Sequence, residues 1–352
     1  MKNKVLSIAL TVFLFIAALS LMTVGCAKEE ASVDAQPQEE EVQAADDAKV
    51  TKELKIGYVT MMMAADSNSR AYDAFKKEAD RLGWEVFITD AAGDIVKASD
   101  GIQNYVGQQV DVIIVCCAEI TPIKDGLMAA KKSGIPVFCM DTGVDTEGAV
   151  VANVTSNCWS MGAEVASQIV DHLNGTGNVC IIDIPTLNVH RYRADMARAV
   201  FNSSDNPGIN ILAEDSVTVA NWEAGSYEIM TAWLTKYGDE IDAVFGTWDG
   251  IGWSVSKAAA DAGYTKDDMI TMSIDGTTQT YDMIRNGEPF IGVAAQNFGG
   301  WASKTAELID SIVVQGIPAE NVVPDSKVIY IPHKWIDKTN VPPVGADPAS
   351  IF

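Results

Sequence analysis

Several polar and aromatic residues follow short apolar segments, and their chemistry suits a ligand with many hydroxyl groups. Carboxylates accept hydrogen bonds from hydroxyls, a guanidinium donates to them, and an amide does both. Indole rings pack against the apolar C–H faces of such a ligand. Unpaired buried hydroxyls cost about 1–3 kcal/mol each, so several groups must converge on one ligand. The candidate ligand-binding residues are Met61, Asp141, His190, Arg193, Asn221, Trp222, Trp248, Asp275 and Gln296.

These candidates share a position in the chain, because most of them lie at or after the end of an apolar run that we interpret as a buried strand. In open α/β sheets, ligands bind outside the carboxyl ends of the strands. The predicted strands are 54–59, 86–89, 110–115, 137–140, 150–154, 179–184, 209–213, 243–246, 269–274, 290–295 and 327–331.

Segments of helical period separate the strands. In 70–82, for example, apolar residues recur at spacings of three and four. Alternation of helices with near-continuous apolar strands predicts an α/β fold of parallel sheets with helices on both faces. Eleven predicted strands are too many for one comfortable sheet, and about 300 residues exceed one comfortable core. We therefore expect two doubly wound parallel-sheet lobes.

Alternative roles exist for several of these residues. Asp141 and Asp275 could be helix N-caps, and we favour that role for Asp249 and for Asn68. Met61 could fill the core as easily as line an adaptable pocket wall. Trp233 and Trp253 are expected in helix cores, and Arg191 in an internal ion pair.

The N-terminal segment predicts export. Residues 1–25 combine an early positive charge with a long apolar run, which is typical of a signal peptide. Cys26 follows and resembles the lipidated cysteine of bacterial lipoproteins, although Thr23 departs from the usual aliphatic residue. An uncleaved membrane helix is the alternative. Residues 26–52 are acidic and contain no aromatic residue, so we expect an extended linker that tethers an extracytoplasmic protein to the membrane.

Composition excludes other classes of function. The formal net charge of −23 argues against a nucleic-acid partner. The sequence lacks nucleophile-elbow, P-loop and dinucleotide-binding motifs, so we expect no enzyme. The three histidines lie far apart, so we expect neither a metal nor a cofactor. The five cysteines after Cys26 are interpreted as small buried apolar residues rather than as disulfides.

Five segments together resemble one known family, the type I periplasmic binding proteins for sugars. These segments are Lys55-Ile56-Gly57-Tyr58-Val59, Glu78-Ala79-Asp80-Arg81-Leu82-Gly83-Trp84, Ser133-Gly134-Ile135-Pro136-Val137, Asp275-Gly276-Thr277 and Ala294-Ala295-Gln296. The resemblance implies sugar-binding roles for Asp141, Arg193 and Asp275, an amide near a hinge for Gln296, and a ring-stacking role for Trp222.

Two departures from the family bear on the ligand. The first loop, 61–68, has no aromatic residue, and Trp248 stands where the family has a hydrogen-bonding amide. The stacking surface is therefore expected on the second lobe. The departures do not favour ribose, galactose or xylose, and a different pentose, a deoxy sugar and a linear polyol all remain open.

The resemblance also implies a two-lobed architecture with a three-crossing hinge. We expect one lobe at 53–155 plus 297–326, the other at 156–296 plus 327–337, and a loose tail at 338–352. The implied function is a monomeric, lipid-anchored binding protein that delivers a sugar or polyol to an ABC-type permease. A sensor that signals through a membrane receptor is the alternative, whereas acidity and the predicted signal peptide disfavour a repressor.

Overall fold

Two six-stranded β-sheets organise the part of the chain that the computed structural model describes, namely residues 52–143, 145, 147–346 and 348–352. The predicted signal peptide, the predicted lipidation site Cys26 and the predicted linker up to residue 51 lie outside the described residues. The strands are β1 (Lys55–Thr60), β2 (Glu85–Asp90), β3 (Val112–Cys116), β4 (Val137–Met140), β5 (Val150–Thr155), β6 (Thr176–Asp183), β7 (Gly208–Ser216), β8 (Ala243–Gly246), β9 (Ile270–Asp275), β10 (Phe290–Ala295), β11 (Val328–Tyr330) and β12 (Lys334–Asp337).

Nine α-helices lie between these strands within the described residues. They are α1 (Asp66–Leu82), α2 (Ile95–Gln108), α3 (Lys124–Lys132), α4 (Cys158–His172), α5 (Asn188–Phe201), α6 (Trp222–Tyr237), α7 (Asp249–Asp261), α8 (Thr278–Asn286) and α9 (Phe298–Ile309).

The N-lobe sheet has the strand order β11-β5-β4-β3-β1-β2, and all of its pairs are parallel. The C-lobe sheet has the order β12-β10-β9-β8-β6-β7, in which β12 alone runs antiparallel to its neighbour. Central strands are apolar along their whole length because helices cover both faces; all five residues of β3 are buried. The predicted α/β class with two doubly wound lobes is confirmed.

Each lobe has apolar cores on both faces of its sheet. In the N-lobe, Phe75 and Trp301 of α1 and α9 pack on one face, while Ile102 and Leu127 of α2 and α3 pack on the other. The C-lobe repeats this arrangement with α4 and α5 on one face and α6 and α7 on the other. This packing fixes the carboxyl ends of the strands, where the candidate residues lie.

Three passages between the lobes form the hinge within the described residues. The first joins β5 to α4, the second joins β10 to α9, and the third joins β11 to β12. The first two lie next to each other, because the indole nitrogen of Trp301 donates a hydrogen bond of 3.2 Å to Ser156 Oγ. The third passes close to α9: a Cβ atom on Gly300 would lie 2.7 Å from the side chain of Ile331.

The predicted position of the third crossing was wrong. Residues 327–330 were assigned to the C-lobe, but β11 pairs in parallel with β5 of the N-lobe, with Val328 opposite Asn153. The crossing therefore follows Tyr330, and only β12 belongs to the C-lobe sheet. The apolar run predicted a strand correctly, but nothing local in its sequence indicates which sheet it joins.

The C-terminal segment packs on the C-lobe, so its interpretation as a loose tail was also wrong. Val341 and Ile351 contact the apolar cluster around Phe290. Asn340 donates a hydrogen bond to the carbonyl of Trp335, and Arg285 donates to the carbonyl of Pro342. None of the helices in the described residues is long and apolar enough to cross a membrane.

Candidate functional site

Arg193 lies at the centre of the cleft between the lobes. It is in α5, which packs so closely on α4 that a Cβ atom on Gly162 would lie 2.4 Å from the Arg193 carbonyl oxygen. Its side chain is only 2% exposed, and Nη1 donates a hydrogen bond of 2.9 Å to the carbonyl of Thr247. Nη1 also lies 3.3 Å from Asp275 Oδ1, and Nη2 lies 3.9 Å from Asp141 Oδ2. The guanidinium is therefore held between carboxylates of both lobes.

The two carboxylates reach the cleft through unusual backbone conformations. Asp141 follows β4 with φ of 51°, and Asp275 ends β9 with φ of 120°. Residues other than glycine rarely adopt positive φ, and such strain is concentrated at functional sites. Thr155 donates a hydrogen bond of 2.7 Å to Asp141, and Gln296 donates one of 2.6 Å to Asp275. Each carboxylate is thus oriented by its own lobe.

Burial dominates the titration of these carboxyl groups. It raises the pKa of Asp275 to about 7, although the Arg193 charge acts in the opposite direction. Burial also raises the pKa of Asp141, again against the Arg193 charge and the hydrogen bond from Thr155. Desolvation disfavours the charged form of a carboxyl group, which is the physical cause in both cases. Near neutral pH, Asp275 can therefore hold or release a proton.

A cavity opens beside these charged groups. Its lining combines apolar walls with convergent polar groups from both lobes. The described residues that line it are Met61, Met62, Ala65, Ser67, Asn68, Cys117, Asp141, Ile184, Leu187, Val189, His190, Arg193, Val219, Trp248 and Asp275.

The structure brings most of the predicted site residues together at this cavity. Six of the nine line it, namely Met61, Asp141, His190, Arg193, Trp248 and Asp275. Gln296 lies behind them and acts on the cavity through its hydrogen bond to Asp275. Asn221 and Trp222 lie outside its lining: Asn221 is exposed, and Trp222 packs edge-on against Trp248 with ring centroids 4.6 Å apart.

Residues 56–316 match the family model described as a periplasmic binding protein domain. The chain belongs to the periplasmic binding protein family. It is similar to a xylitol-binding protein from Mycolicibacterium smegmatis, with 25% identity over 70% of this chain and 68% of the relative. It is also similar to a putative rhizopine-binding protein from Rhizobium meliloti, with 28% identity over 74% of this chain and 82% of that relative.

Solved structures show the same fold. A solute-binding protein of an ABC transporter from Agrobacterium vitis, with bound allitol, matches with a TM-score of 0.73 and 24% identity over 83% of this chain and 97% of its own. An ABC sugar transporter subunit from Rhodobacter sphaeroides matches with a TM-score of 0.72 and 27% identity over 82% and 99% of the two chains.

Trp248 forms an apolar wall in the cleft of this periplasmic binding protein. It stands between β8 and α7, is 6% exposed, and contributes to the cavity lining. Among the described residues no group accepts a hydrogen bond from its indole nitrogen, which is buried. A face of C–H groups on a ligand would pack on such a ring.

His190 contributes a neutral imidazole to the binding protein's cleft. Burial lowers its pKa well below the ordinary value, and the nearby Arg193 charge acts in the same direction. Its Nδ1 is hydrogen-bonded with Thr247 Oγ1 at 2.9 Å. A neutral imidazole can both donate and accept hydrogen bonds, which suits a hydroxyl ligand.

The helix-cap roles that we predicted from the sequence for two polar residues were wrong. Asn68 does not cap α1 but lies within its first turn, where its Oδ1 accepts a hydrogen bond of 2.9 Å from Thr60 and its side chain lines the cavity. Asp249 makes no cap bond to α7; its carboxylate accepts three bonds from Thr277 and Thr280 at the start of α8. It thereby fixes the loop that carries Asp275.

Cys117 is a lining residue that the sequence did not distinguish. The other cysteines in the described part are buried, as predicted, and all five are free thiols. Cys117 follows β3 with φ of 56°, and its sulfur lies 3.4 Å from that of Cys116. Position alone could have identified it, because it follows a strand end as Asp141 does.

Several contacts join the two lobes of the binding protein across the cleft. Arg70 of α1 donates a hydrogen bond of 2.7 Å to the carbonyl of Gly276. Glu119 accepts one of 2.8 Å from the backbone of Asn188 and lies 3.3 Å from Arg191, so the ion pair expected for Arg191 spans the lobes. The described residues contain no group of three or more side chains suited to hold a metal ion.

Proposed function

We propose that this periplasmic binding protein captures a sugar or polyol in its cleft and delivers it to an ABC-type permease. The observation that carries the proposal is the position of Arg193 between Asp141 and Asp275, which belong to opposite lobes. Donors and acceptors of this kind pair with hydroxyl groups, and the Trp248 ring offers a surface for a carbon face. Membership of the periplasmic binding protein family supports a binding role rather than catalysis.

Named relatives support the ligand class. The relatives described above are named for xylitol and rhizopine, and others are named as ribose and fructose import binding proteins. Structures with the same fold hold allitol, myo-inositol and D-allose. Departures in the first loop and at Trp248 give no reason to choose one of these compounds over the others.

The location proposed for the protein is the outer face of the cytoplasmic membrane. Family membership supports an extracytoplasmic location. The finer proposal, that Cys26 carries the lipid and that 26–52 tethers the lobes, rests on the sequence alone. Metabolic labelling with a fatty acid, in the protein and in Cys26→Ala, tests it: label that persists in the variant contradicts lipidation at Cys26.

A thermal-shift screen tests the ligand class. The panel contains pentoses, hexoses, deoxy sugars, linear polyols and inositols, with amino acids and nucleosides as other classes. A ligand that binds only the folded state adds about 2.7 kcal/mol of stability at a hundredfold excess over Kd. We expect a rise with a carbohydrate or polyol, lost in Asp141→Ala and kept in Asp100→Asn, whose side chain is exposed. A rise only with an amino acid or nucleoside contradicts the proposal.

A further inference from the structure

The cavity has a neighbour on its outer side. A larger groove runs along α6, α7 and α8 and is lined by Trp222, Trp253 and several carboxylates, including Glu223 and Asp282. Of the residues that the structure describes, Ala65 and Trp248 alone line both the cavity and this outer groove. Trp248 is the larger of these two shared residues, and we call the pair the partition between the two spaces.

The indole of Trp248 is held in place from behind. Its six-membered ring lies 2.9 Å from the position that a Cβ atom on Gly250 would occupy, so only glycine fits there with this ring position. The rings of Trp222 and Trp253 pack against it at centroid distances of 4.6 and 6.4 Å. Trp253 is itself fixed, since its indole nitrogen donates a hydrogen bond of 2.7 Å to Thr280.

The partition is assembled from both lobes. Trp248 belongs to the C-lobe, whereas Ala65 precedes α1 of the N-lobe and packs in the same apolar cluster. The wall is therefore complete only while the lobes are in contact. A ligand that extends from the cavity toward the outer groove would therefore meet this partition.

We propose that Trp248 is the specificity-determining residue for ligand length: it admits an unsubstituted sugar or polyol and excludes derivatives whose substituent points toward the outer groove. This inference rests on the proposed function. Indole rings and carboxylates beyond the partition suit a second sugar ring. Removal of the Trp248 side chain joins the two spaces and should allow a glycoside to bind across both, with its added ring on Trp222.

The test compares each unsubstituted ligand with its extended derivatives by calorimetry. The probes are D-xylose, D-ribose and xylitol, each against methyl and 4-nitrophenyl derivatives substituted at different hydroxyl groups, and xylobiose. In the unaltered protein we expect the derivatives whose substituents point toward the outer groove to bind at least tenfold more weakly than their parents. In Trp248→Ala, the dissociation constant of at least one derivative, divided by that of its parent compound, should fall at least tenfold relative to the unaltered protein.

Matched variants distinguish a change in ligand specificity, which the partition would cause, from a general loss of folding or binding. Trp248→Leu keeps an apolar side chain and should shift the ratio of derivative to parent dissociation constants in the same direction. It therefore tests the inference even if Trp248→Ala does not fold. Trp222→Ala added to Trp248→Ala should reduce the gained affinity for the derivative. An unchanged ratio in a folded Trp248 variant overturns the inference, as does tight binding of derivatives by the unaltered protein. If no carbohydrate of either kind binds, the proposed function itself fails.

Discussion

The Nη2 atom of Arg193 lies 3.9 Å from the Oδ2 atom of Asp141, although the two residues belong to opposite lobes. The other partner of the guanidinium, Asp275, lies in its own lobe at 3.3 Å. This charge cluster is therefore divided between the lobes, with Arg193 and Asp275 in the C-lobe and Asp141 in the N-lobe, and the whole cluster forms only when the lobes meet. A ligand that hydrogen-bonds with both halves stabilises the closed state, because only that state offers both sets of contacts.

Replacement of Arg193 should weaken both ligand binding and folding. In Arg193→Ala, Asp141 and Asp275 lose a buried cation, and such a loss typically costs about 3–5 kcal/mol. We expect urea unfolding at pH 7.5 to show a loss of that order and calorimetry to show at least a hundredfold loss of affinity. The destabilisation should be smaller at pH 5, since Asp275, whose pKa burial raises to about 7, is then protonated and neutral.

Two further variants control this result. Arg193→Lys keeps the charge but not the planar fork of donors, so its stability should exceed that of Arg193→Ala while affinity still falls at least tenfold. Arg81→Ala removes an exposed ion pair with Glu78 and should change stability by less than about 1 kcal/mol. Normal affinity in Arg193→Ala would exclude the guanidinium from ligand binding.

Asp275→Asn should change how stability depends on pH. The pKa of Asp275 is about 7 in the folded protein, raised by burial, and about 3.9 when unfolded. The folded state therefore binds the extra proton between these values, so the contribution of this group to stability is lost as pH rises from about 4 to about 7. The slope is at most about 1.4 kcal/mol per pH unit. Relative to the unaltered protein, the variant should gain stability from pH 5 to pH 7.

The effect of Asp275 must be measured as the difference in stability between Asp275→Asn and the unaltered protein at each pH, because other groups titrate nearby. Burial raises the pKa of Asp249 to about 6, which acts in the same direction as Asp275. The lowered pKa of His190 acts in the opposite direction, since stability then rises as pH passes through the unfolded value of about 6.5. Asp100→Asn serves as the control with an exposed carboxylate. A difference that is flat from pH 5 to pH 7 would rule out a raised pKa at Asp275.

Loss of the contacts across the cleft should favour the open form. Arg70→Ala removes the bond to Gly276, and Glu119→Ala removes those to Asn188 and Arg191. Since apparent affinity falls with the population of the binding-competent state, we expect affinity to fall several-fold without any contact to ligand being lost. Small-angle X-ray scattering without ligand should show a larger radius of gyration for the double variant Arg70→Ala/Glu119→Ala than for the control Arg81→Ala. Arg81 is exposed and lies on α1, the helix that carries Arg70. Equal radii would contradict this account.

Two adjacent glycines at the start of α9 should respond differently to alanine. In Gly300→Ala the new Cβ atom would lie 2.7 Å from Ile331 and 2.8 Å from Asn297, so two hinge segments must move apart. We expect a loss of about 1–3 kcal/mol in urea unfolding. Gly299→Ala meets nothing closer than 3.7 Å and should be neutral or stabilising by up to about 1 kcal/mol. Similar responses would show that the hinge segments do not approach closely at Gly300.

The sequence pattern predicted those features of the fold that are determined by neighbouring residues along the chain. Buried parallel strands such as β3 are apolar along their whole length, so their existence and the α/β class could be predicted. The rule that ligands bind at carboxyl ends of strands then brought Asp141, Trp248 and Asp275 to one place. Arg193 was a candidate because it follows the predicted strand 179–184, and the resemblance to a known family implied its sugar-binding role; in the structure it lies on a helix rather than at a strand end.

Features that depend on long-range pairing could not be predicted. The partner of β11 is β5, more than 150 residues earlier in the chain, and no local signal specifies that choice. Trp222 was placed in the site by its position after a strand and by resemblance, but it packs against Trp248 outside the cavity lining. Asn68 was interpreted as a cap because caps are common for asparagine, and its contact with Thr60 depends on the tertiary fold.

A crystal structure of the protein with the tightest-binding compound of the thermal-shift panel tests the central claim most directly. We expect the ligand between the lobes, with hydroxyl groups within hydrogen-bond distance of Asp141, Arg193 and Asp275 and a carbon face against Trp248. A ligand bound outside the cleft, or inside it without contact to the Arg193 cluster, would contradict the account.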